Sequence, residues 1–133
     1  MGQFTVEISP RELMTHYRNK LQVAVGSSAP VSMKEVALSA ECRLMAGGRV
    51  KEQYLLAEKR FSGGDLPGGS PVRLEWEVEI ARKGPLSFKN DAFSIEHCAI
   101  VEVTAEGTPK ERFEVPLTVV PGRIASTEVP ADR

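Results

Sequence analysis

Residues 72–80 read VRLEWEVEI, and this stretch decides the class of fold. Its apolar side chains occupy every second position, and charged side chains occupy the positions between them. A period of two is the pattern of a β-strand that buries one face and leaves the other in water. The stretch therefore predicts a strand with Trp76 and Val78 directed into a core and Glu75, Glu77 and Glu79 directed outward.

The same alternation recurs along the chain at 36–45, 93–105 and 113–119, and more briefly at 4–8 and 21–25. The run 93–105 puts Phe93 and His97 on its core side and Cys98 on the opposite side. Residues 50–59, VKEQYLLAEK, break strict alternation and suit an edge strand, a bulged strand or a turn of helix. Residues 10–18 could form a short helical turn, because proline suits a first helical position.

About seven strands, each with one apolar face, need a second sheet to cover them. We therefore predict an all-β fold, an antiparallel β-sandwich of the immunoglobulin or arrestin-like kind. Clusters of glycine and proline separate the strands, and SGGDLPGGSP at 62–71 is expected to be a mobile hairpin loop. Residues 1–121 would form a single domain, with 122–133 a flexible tail.

Composition excludes several classes of partner. The chain has 133 residues, of which 41% are hydrophobic and 26% charged, with a formal net charge of −1. This charge gives no reason to expect nucleic acid as a partner. No apolar run is long enough to span a membrane. The N-terminal residues do not have the pattern of a secretory signal, so we expect a cytoplasmic protein.

The two cysteines suggest neither a disulfide nor a metal site. Cys42, Trp76 and Cys98 follow the order of an immunoglobulin domain, but Cys42 points to the core side of its run and Cys98 away from it. Apart from the cysteines, only His16 and His97 are ordinary zinc ligands, and no CxxC spacing is present. We expect no cofactor and no bound metal.

The segment that follows residues 72–80 gives a different kind of evidence, the order of short motifs along the chain. The leading strand GGSPVRLEWEVEI is followed by the connection ARKGPLSFKNDA and then by the strand FSIEHCAIVEV. Pro85, Ser87 and Phe88 form a Pro-x-Ser-Phe pattern, and LPGG at 66–69 precedes the leading strand. Together with residues 17–44 and 112–122, this order resembles the arrestin-like domain family, which includes bacterial proteins of the sporulation-control type.

The resemblance covers about residues 4–121 and implies a single arrestin N-lobe-like sandwich. It implies that 17–44 contain an opening hairpin and that 112–122 hold the final strand. Two positions depart from the family pattern, because His97 stands where an aromatic residue is usual and Asn19 or Lys20 replaces a turn glycine. Pro85 suits a connection because it lacks a backbone donor. Phe88 would then plug the open end of the sandwich.

No catalytic motif is present, and the function expected from this resemblance is a non-enzymatic adaptor or scaffold that binds a protein partner. The partner would dock on a sheet face or pair with an edge strand. Successive glutamates of the acidic row lie about 7 Å apart along a strand, too far to share a metal without loop oxygens. The candidate partner-binding residues are Glu75, Glu77 and Glu79 for an acidic face and Arg82, Lys83 and Lys89 for a basic rim.

Two alternatives remain open from the sequence. The chain could be a structural subunit that forms a homo-oligomer through an exposed edge or its tail. It could also be an enzyme or a small-ligand carrier with a pocket around His97. Cys98 is adjacent to His97, but neighbouring strand residues face opposite ways, so these two do not form a nucleophile and base.

Overall fold

The computed structural model describes residues 3–80 and 85–122, and every regular element within these ranges is a β-strand. The nine strands are β1 (Phe4–Ser9), β2 (Glu12–Met14), β3 (Arg18–Ser27), β4 (Val31–Ala46), β5 (Arg49–Leu66), β6 (Val72–Glu79), β7 (Phe88–Lys89), β8 (Phe93–Ala105) and β9 (Glu111–Val120). The all-β prediction is confirmed. Within the same ranges there is no helix of the length and apolar character that a membrane span requires.

The strands form two sheets of unequal size. The smaller sheet has the order β1-β3-β6, and the larger has the order β2-β9-β8-β4-β5, with β7 paired to β8 beside it. All pairings are antiparallel except that of β2 with β9, which is parallel. The sandwich prediction is therefore confirmed. Its estimate of about seven strands missed the two short strands β2 and β7.

The core lies where the apolar faces of the two sheets meet. Trp76 is 2% exposed, and Val78 and Ile80 are buried beside it, as the alternation of VRLEWEVEI predicts. Alternating core positions of β4 face this strand from the larger sheet, among them Val36, Leu38 and Ala40. Burying apolar surface contributes about 25 cal/mol per Å², so this contact between sheets is the main source of stability.

The ambiguous segment 50–59 belongs to β5, a strand of 18 residues at the edge of the larger sheet. Its pairing with β4 shifts register between Ala40 and Glu41 and again between Leu44 and Met45. The prediction of an edge or bulged strand is confirmed for this segment.

The glycine-rich stretch 62–71 was predicted wrongly as a loop throughout. β5 continues to Leu66, whose side chain is 1% exposed, so the connection to β6 spans only residues 67–71. The strand continues past the glycines because β5 stays paired with β4, and Gly63 passes β4 too closely to admit a side chain. A Cβ atom at Gly63 would overlap the Met33 carbonyl oxygen.

Two other local predictions were wrong. Residues 12–14 form strand β2 rather than a helical turn, because pairing with β9 buries Leu13 in the core. Residues 17–44 do not contain a hairpin, because β3 belongs to the smaller sheet and β4 to the larger one. In both cases pairing with distant strands overrides the local pattern.

The expectation of no disulfide is confirmed, since Cys42 and Cys98 are both free thiols. They lie on neighbouring strands, where Cys42 is opposite His97 and Cys98 is opposite Glu41. Cross-strand partners share a face of the sheet, so the two thiols point to opposite sides of the larger sheet. The predicted tail at 122–133 lies, from residue 123 onward, outside the described residues.

The close approach at Gly63 gives a test of this register. Gly63→Ala should lower the free energy of unfolding by about 3 kcal/mol, because the backbone of β4 or β5 must shift to admit a Cβ atom. Gly64→Ala is the matched control, since a Cβ atom there meets nothing within 4 Å, and it should change stability by at most about 1 kcal/mol. Urea denaturation measures both, and equal effects would contradict the register.

Candidate protein-interaction surface

The acidic row lies on the outer face of the smaller sheet. Glu75, Glu77 and Glu79 are exposed on β6, as predicted. In the register with β3, Gln22, Lys20 and Arg18 stand opposite these three glutamates in turn. Arg18 Nε lies 3.7 Å from Glu79 Oε2 at the exposed end of this pairing.

This arrangement gives the acidic row basic neighbours on one side only. Strand β6 ends the order of the smaller sheet, so no described strand pairs with its second edge. The other end strand of the sheet, β1, lies beside β9, and the Gln3 amide donates to Glu111 Oε2 at 2.9 Å there. The open edge of β6 therefore lies on the side of the sandwich occupied by β5, which it contacts.

Apolar side chains that the core does not fully bury lie on β6 and on β5, two strands that contact each other. We call this region the β5–β6 seam and define it by five residues, Tyr54, Leu56, Phe61, Val72 and Leu74. Four of them are partly buried and pack against the core, and Tyr54 is 52% exposed. Tyr54 is paired with Cys42 and Phe61 with Val36, so both lie on the core side of β5. Three strands facing five leave this part of the larger sheet incompletely covered.

The residues predicted as a basic rim do not all lie beside the acidic row. Lys89 is exposed on β7, which belongs to the larger sheet. Arg82 and Lys83 lie outside the described residues. Arg18 and Lys20, which border the row, were missed because register between strands is not visible in one strand. The alternation of 18–25 was the available signal, since it directs both side chains outward.

Phe88 does not plug the sandwich, and this prediction was wrong. Its side chain is 47% exposed, and its ring lies 5.4 Å from that of Phe93, measured between centroids. Phe93 is on the expected side of β8 but is itself 39% exposed. Burial along this side of β8 falls from His97 through Ile95 to Phe93. The end of β8 therefore extends past the smaller sheet, so rings at that end have no opposing sheet.

Ser87, rather than Phe88, docks the connection onto the sandwich. The Ser87 amide donates to the Val119 carbonyl at 2.9 Å, and the Val119 amide donates to Ser87 Oγ at 2.8 Å. Ser87 Oγ also lies 2.8 Å from His97 Nδ1. Since the serine oxygen accepts from Val119, its hydroxyl hydrogen is available to donate to His97. These contacts fix the connection to two strands at once, to β8 through His97 and to β9 through Val119.

The pairing of Ser87 with His97 was missed in the sequence, where only neighbouring residues of the histidine were considered as partners. His97 is 4% exposed. Burial lowers the pKa of His97, and the backbone of Pro85 opposes this in part by favouring the protonated ring. The neutral imidazole that results suits a structural acceptor of the serine hydroxyl.

The thiols and carboxylates near His97 do not form a metal site. Among residues 3–80 and 85–122, no three histidine, cysteine or acidic side chains are grouped closely enough to hold a metal ion. Burial raises the pKa of the Cys42 thiol and of the Cys98 thiol, so both are poor nucleophiles at neutral pH. On the outer face of the larger sheet, a hydrogen bond from Arg43 holds the pKa of Glu114 below its usual value.

The buried histidine makes stability depend on pH. In the unfolded chain a histidine titrates near pH 6.5, and the pKa of His97 is lower in the folded protein. Because the unfolded state then binds the proton more readily, the free energy of unfolding should fall as pH drops below about 6.5. His97→Phe should flatten this dependence between about pH 6.5 and pH 5. An unchanged slope in His97→Phe would show that another group is responsible.

Removing the serine hydroxyl should destabilise the fold directly. Ser87→Ala leaves the Val119 amide and His97 Nδ1 without this partner, and we expect a loss of about 1–3 kcal/mol in the free energy of unfolding. Ser70→Ala, at an exposed position of the 67–71 connection, should change stability by less than about 0.5 kcal/mol. Thermal and urea denaturation measure both variants. A Ser87→Ala protein as stable as the parent would contradict the docking role.

Comparison with known proteins identifies the fold. No protein-family model matches the chain, and no curated protein is similar to it in sequence. Among solved structures, the sporulation control protein Spo0M from Bacillus subtilis matches with a TM-score of 0.62 at 11% sequence identity. The match covers 90% of this chain and 50% of Spo0M, so this chain spans about half the length of that protein. The chain therefore has the arrestin-like fold that its sequence resemblance predicted.

Proposed function

We propose that this chain is a non-enzymatic protein-interaction module, an adaptor or scaffold built on one arrestin-like domain over residues 1–121. The observation that carries the proposal is the open edge of β6, which lies between the acidic row and the β5–β6 seam. An edge strand offers unpaired backbone donors and acceptors, and such edges bind extended segments of other proteins. The acidic row would add electrostatic attraction for a basic partner.

The solved structure with the same fold supports a regulatory role. Spo0M is described as a sporulation control protein. Since a fold by itself does not specify function, the analogy supports the class of role and names no partner. We propose that this chain acts, like other modules that control a process, by contacting another protein.

The geometry around His97 favours a binding module over an enzyme. A serine nucleophile needs a base that accepts its proton and an oxygen free to attack a substrate. Burial makes His97 a weaker base, and the Ser87 oxygen already accepts the Val119 amide. Both features suit a structural role, in which Ser87 and His97 hold the connection against β8 and β9.

The test is affinity capture by the immobilised protein from an extract of its source, with the captured protein identified by mass spectrometry. Neutralising the acidic row with Glu75→Gln, Glu77→Gln and Glu79→Gln should reduce capture by about tenfold, because three cross-strand charge pairs are lost. Neutralisation avoids the like-charge contacts with Arg18 and Lys20 that charge reversal would create. A separate set, Arg82→Gln, Lys83→Gln and Lys89→Gln, tests the proposed rim.

The matched control neutralises three exposed glutamates away from β6, at Glu12, Glu58 and Glu106, and should leave capture within about twofold of the parent. Equal loss in the two glutamate sets would overturn the proposed surface. Light scattering on the purified protein distinguishes an adaptor from a self-assembling subunit. A mass that rises with concentration, together with capture of the chain alone, would favour self-assembly.

A further inference from the structure

Among residues 3–80 and 85–122, the unequal sheets leave room for one more strand. The smaller sheet ends at β6, while the larger continues to β5, whose core side carries Tyr54 and Phe61. Neighbouring strands lie about 4.8 Å apart, and packed sheets lie about 10 Å apart. A strand added beside β6 would therefore continue the smaller sheet over β5, at the separation that the rest of the sandwich already has.

Apolar side chains lie on both borders of this space. Val72 and Leu74 on β6 are half-buried, unlike Trp76 and Val78 on the same face, which are fully buried. On β5, Leu56 and Phe61 are half-buried as well, and Tyr54 is exposed. Because four of the five pack against the core and Tyr54 lies on the core side of β5, an added strand could complete their burial with apolar side chains on its inner face.

Charge specifies the two faces of such a strand. On the outer face, the acidic row of β6 has basic residues opposite only on β3, so its other side suits basic residues at every second position. On the inner face, Lys59 is paired with Leu38, and its Nζ lies 5.2 Å from the centre of the Phe61 ring. That ammonium group disfavours basic residues on the part of the inner face opposite Phe61 and leaves that part for apolar ones.

We propose that the β5–β6 seam binds an extended segment of a partner protein in which basic and apolar residues alternate, and that this segment pairs with β6 as the fourth strand of the smaller sheet. The proposal deepens the proposed function and rests on it, because it names the chemistry of the partner. Backbone hydrogen bonds to β6 would supply affinity, and the alternation would supply register and specificity. The outer basic residues would pair with the three glutamates, and the inner apolar residues would pack on the seam.

Self-pairing through β5 is the competing use of this side of the molecule. The β5 edge carries Lys51, Lys59 and Arg60, and its pairing with β4 contains two irregularities. Charged residues and bulges are the features by which edge strands avoid pairing with copies of themselves. Strand β6 pairs with β3 in one continuous register from Val72 to Glu79. These features favour β6 as the edge that accepts a strand.

The experiment uses the full chain and a seven-residue peptide that alternates lysine and valine, blocked at both ends. Fluorescence anisotropy at low salt measures its affinity, against a control peptide of the same composition with lysines and valines in separate blocks. The alternating peptide should bind about tenfold more tightly than the control, because only it places the two side-chain classes on opposite faces. Neutralising Glu75, Glu77 and Glu79 to Gln should weaken binding of the alternating peptide by about tenfold. Neutralising the control set at Glu12, Glu58 and Glu106 should weaken it by less than about twofold.

Peptide methylation tests strand pairing itself. In an extended segment, alternate backbone amides point to opposite edges, so the lysine amides face one edge and the valine amides the other. N-methylation of one set should abolish binding, while methylation of the other set should leave it nearly intact. Amide hydrogen exchange should slow at residues 72–79 on binding and stay unchanged at residues 4–9. Equal loss from both methylated sets, or protection of a different edge, would overturn strand addition to β6.

The outcomes separate this inference from the function on which it rests. If the alternating peptide binds no better than the block peptide, but protein capture still depends on the three glutamates, the interaction module survives and strand addition fails. If capture is also independent of the glutamates, both proposals fall. Tyr54→Ala adds an independent readout. Loss of this exposed ring should weaken binding of the peptide severalfold without changing the free energy of unfolding.

Discussion

Burial of the inner face of β6 against the larger sheet is the interaction on which the rest of this structure depends. Trp76 and Val78 are at most 2% exposed, and they meet the core face of β4. Because side chains alternate along a strand, burying these residues also directs the neighbouring glutamates outward. One packing contact therefore fixes both the core of the domain and the chemistry of its outer surface.

The unequal number of strands in the two sheets turns this packing into a candidate binding surface. Three strands cannot cover five, so apolar side chains along β5 and the outer edge of β6 stay half-buried. A monomer tolerates isolated apolar exposure, but a row beside an open strand edge is typical of an interaction site. The same surface carries Glu75, Glu77 and Glu79 at its outer border, so backbone, apolar and electrostatic features converge there.

Sequence reasoning succeeded where a local pattern decides the structure and failed where distant strands do. Periodicity identified the inward face of β6, the edge character of 50–59 and the absence of a disulfide. It did not find strand β2 or the continuation of β5 to Leu66, because pairing with β9 and β4 determines them. The acidic row was predicted, but its basic neighbours Arg18 and Lys20 depend on the register of β3 with β6.

The sequence by itself determined that this is a sandwich of alternating strands with Trp76 inside and the glutamates outside, because the period of two is set by strand geometry. Only the tertiary structure decided that β6 ends its sheet, that Ser87 meets His97, and that Phe88 lies half-exposed. These features depend on which strands become neighbours and where one sheet stops covering the other. Such contacts join residues far apart in the chain, and no local pattern encodes them.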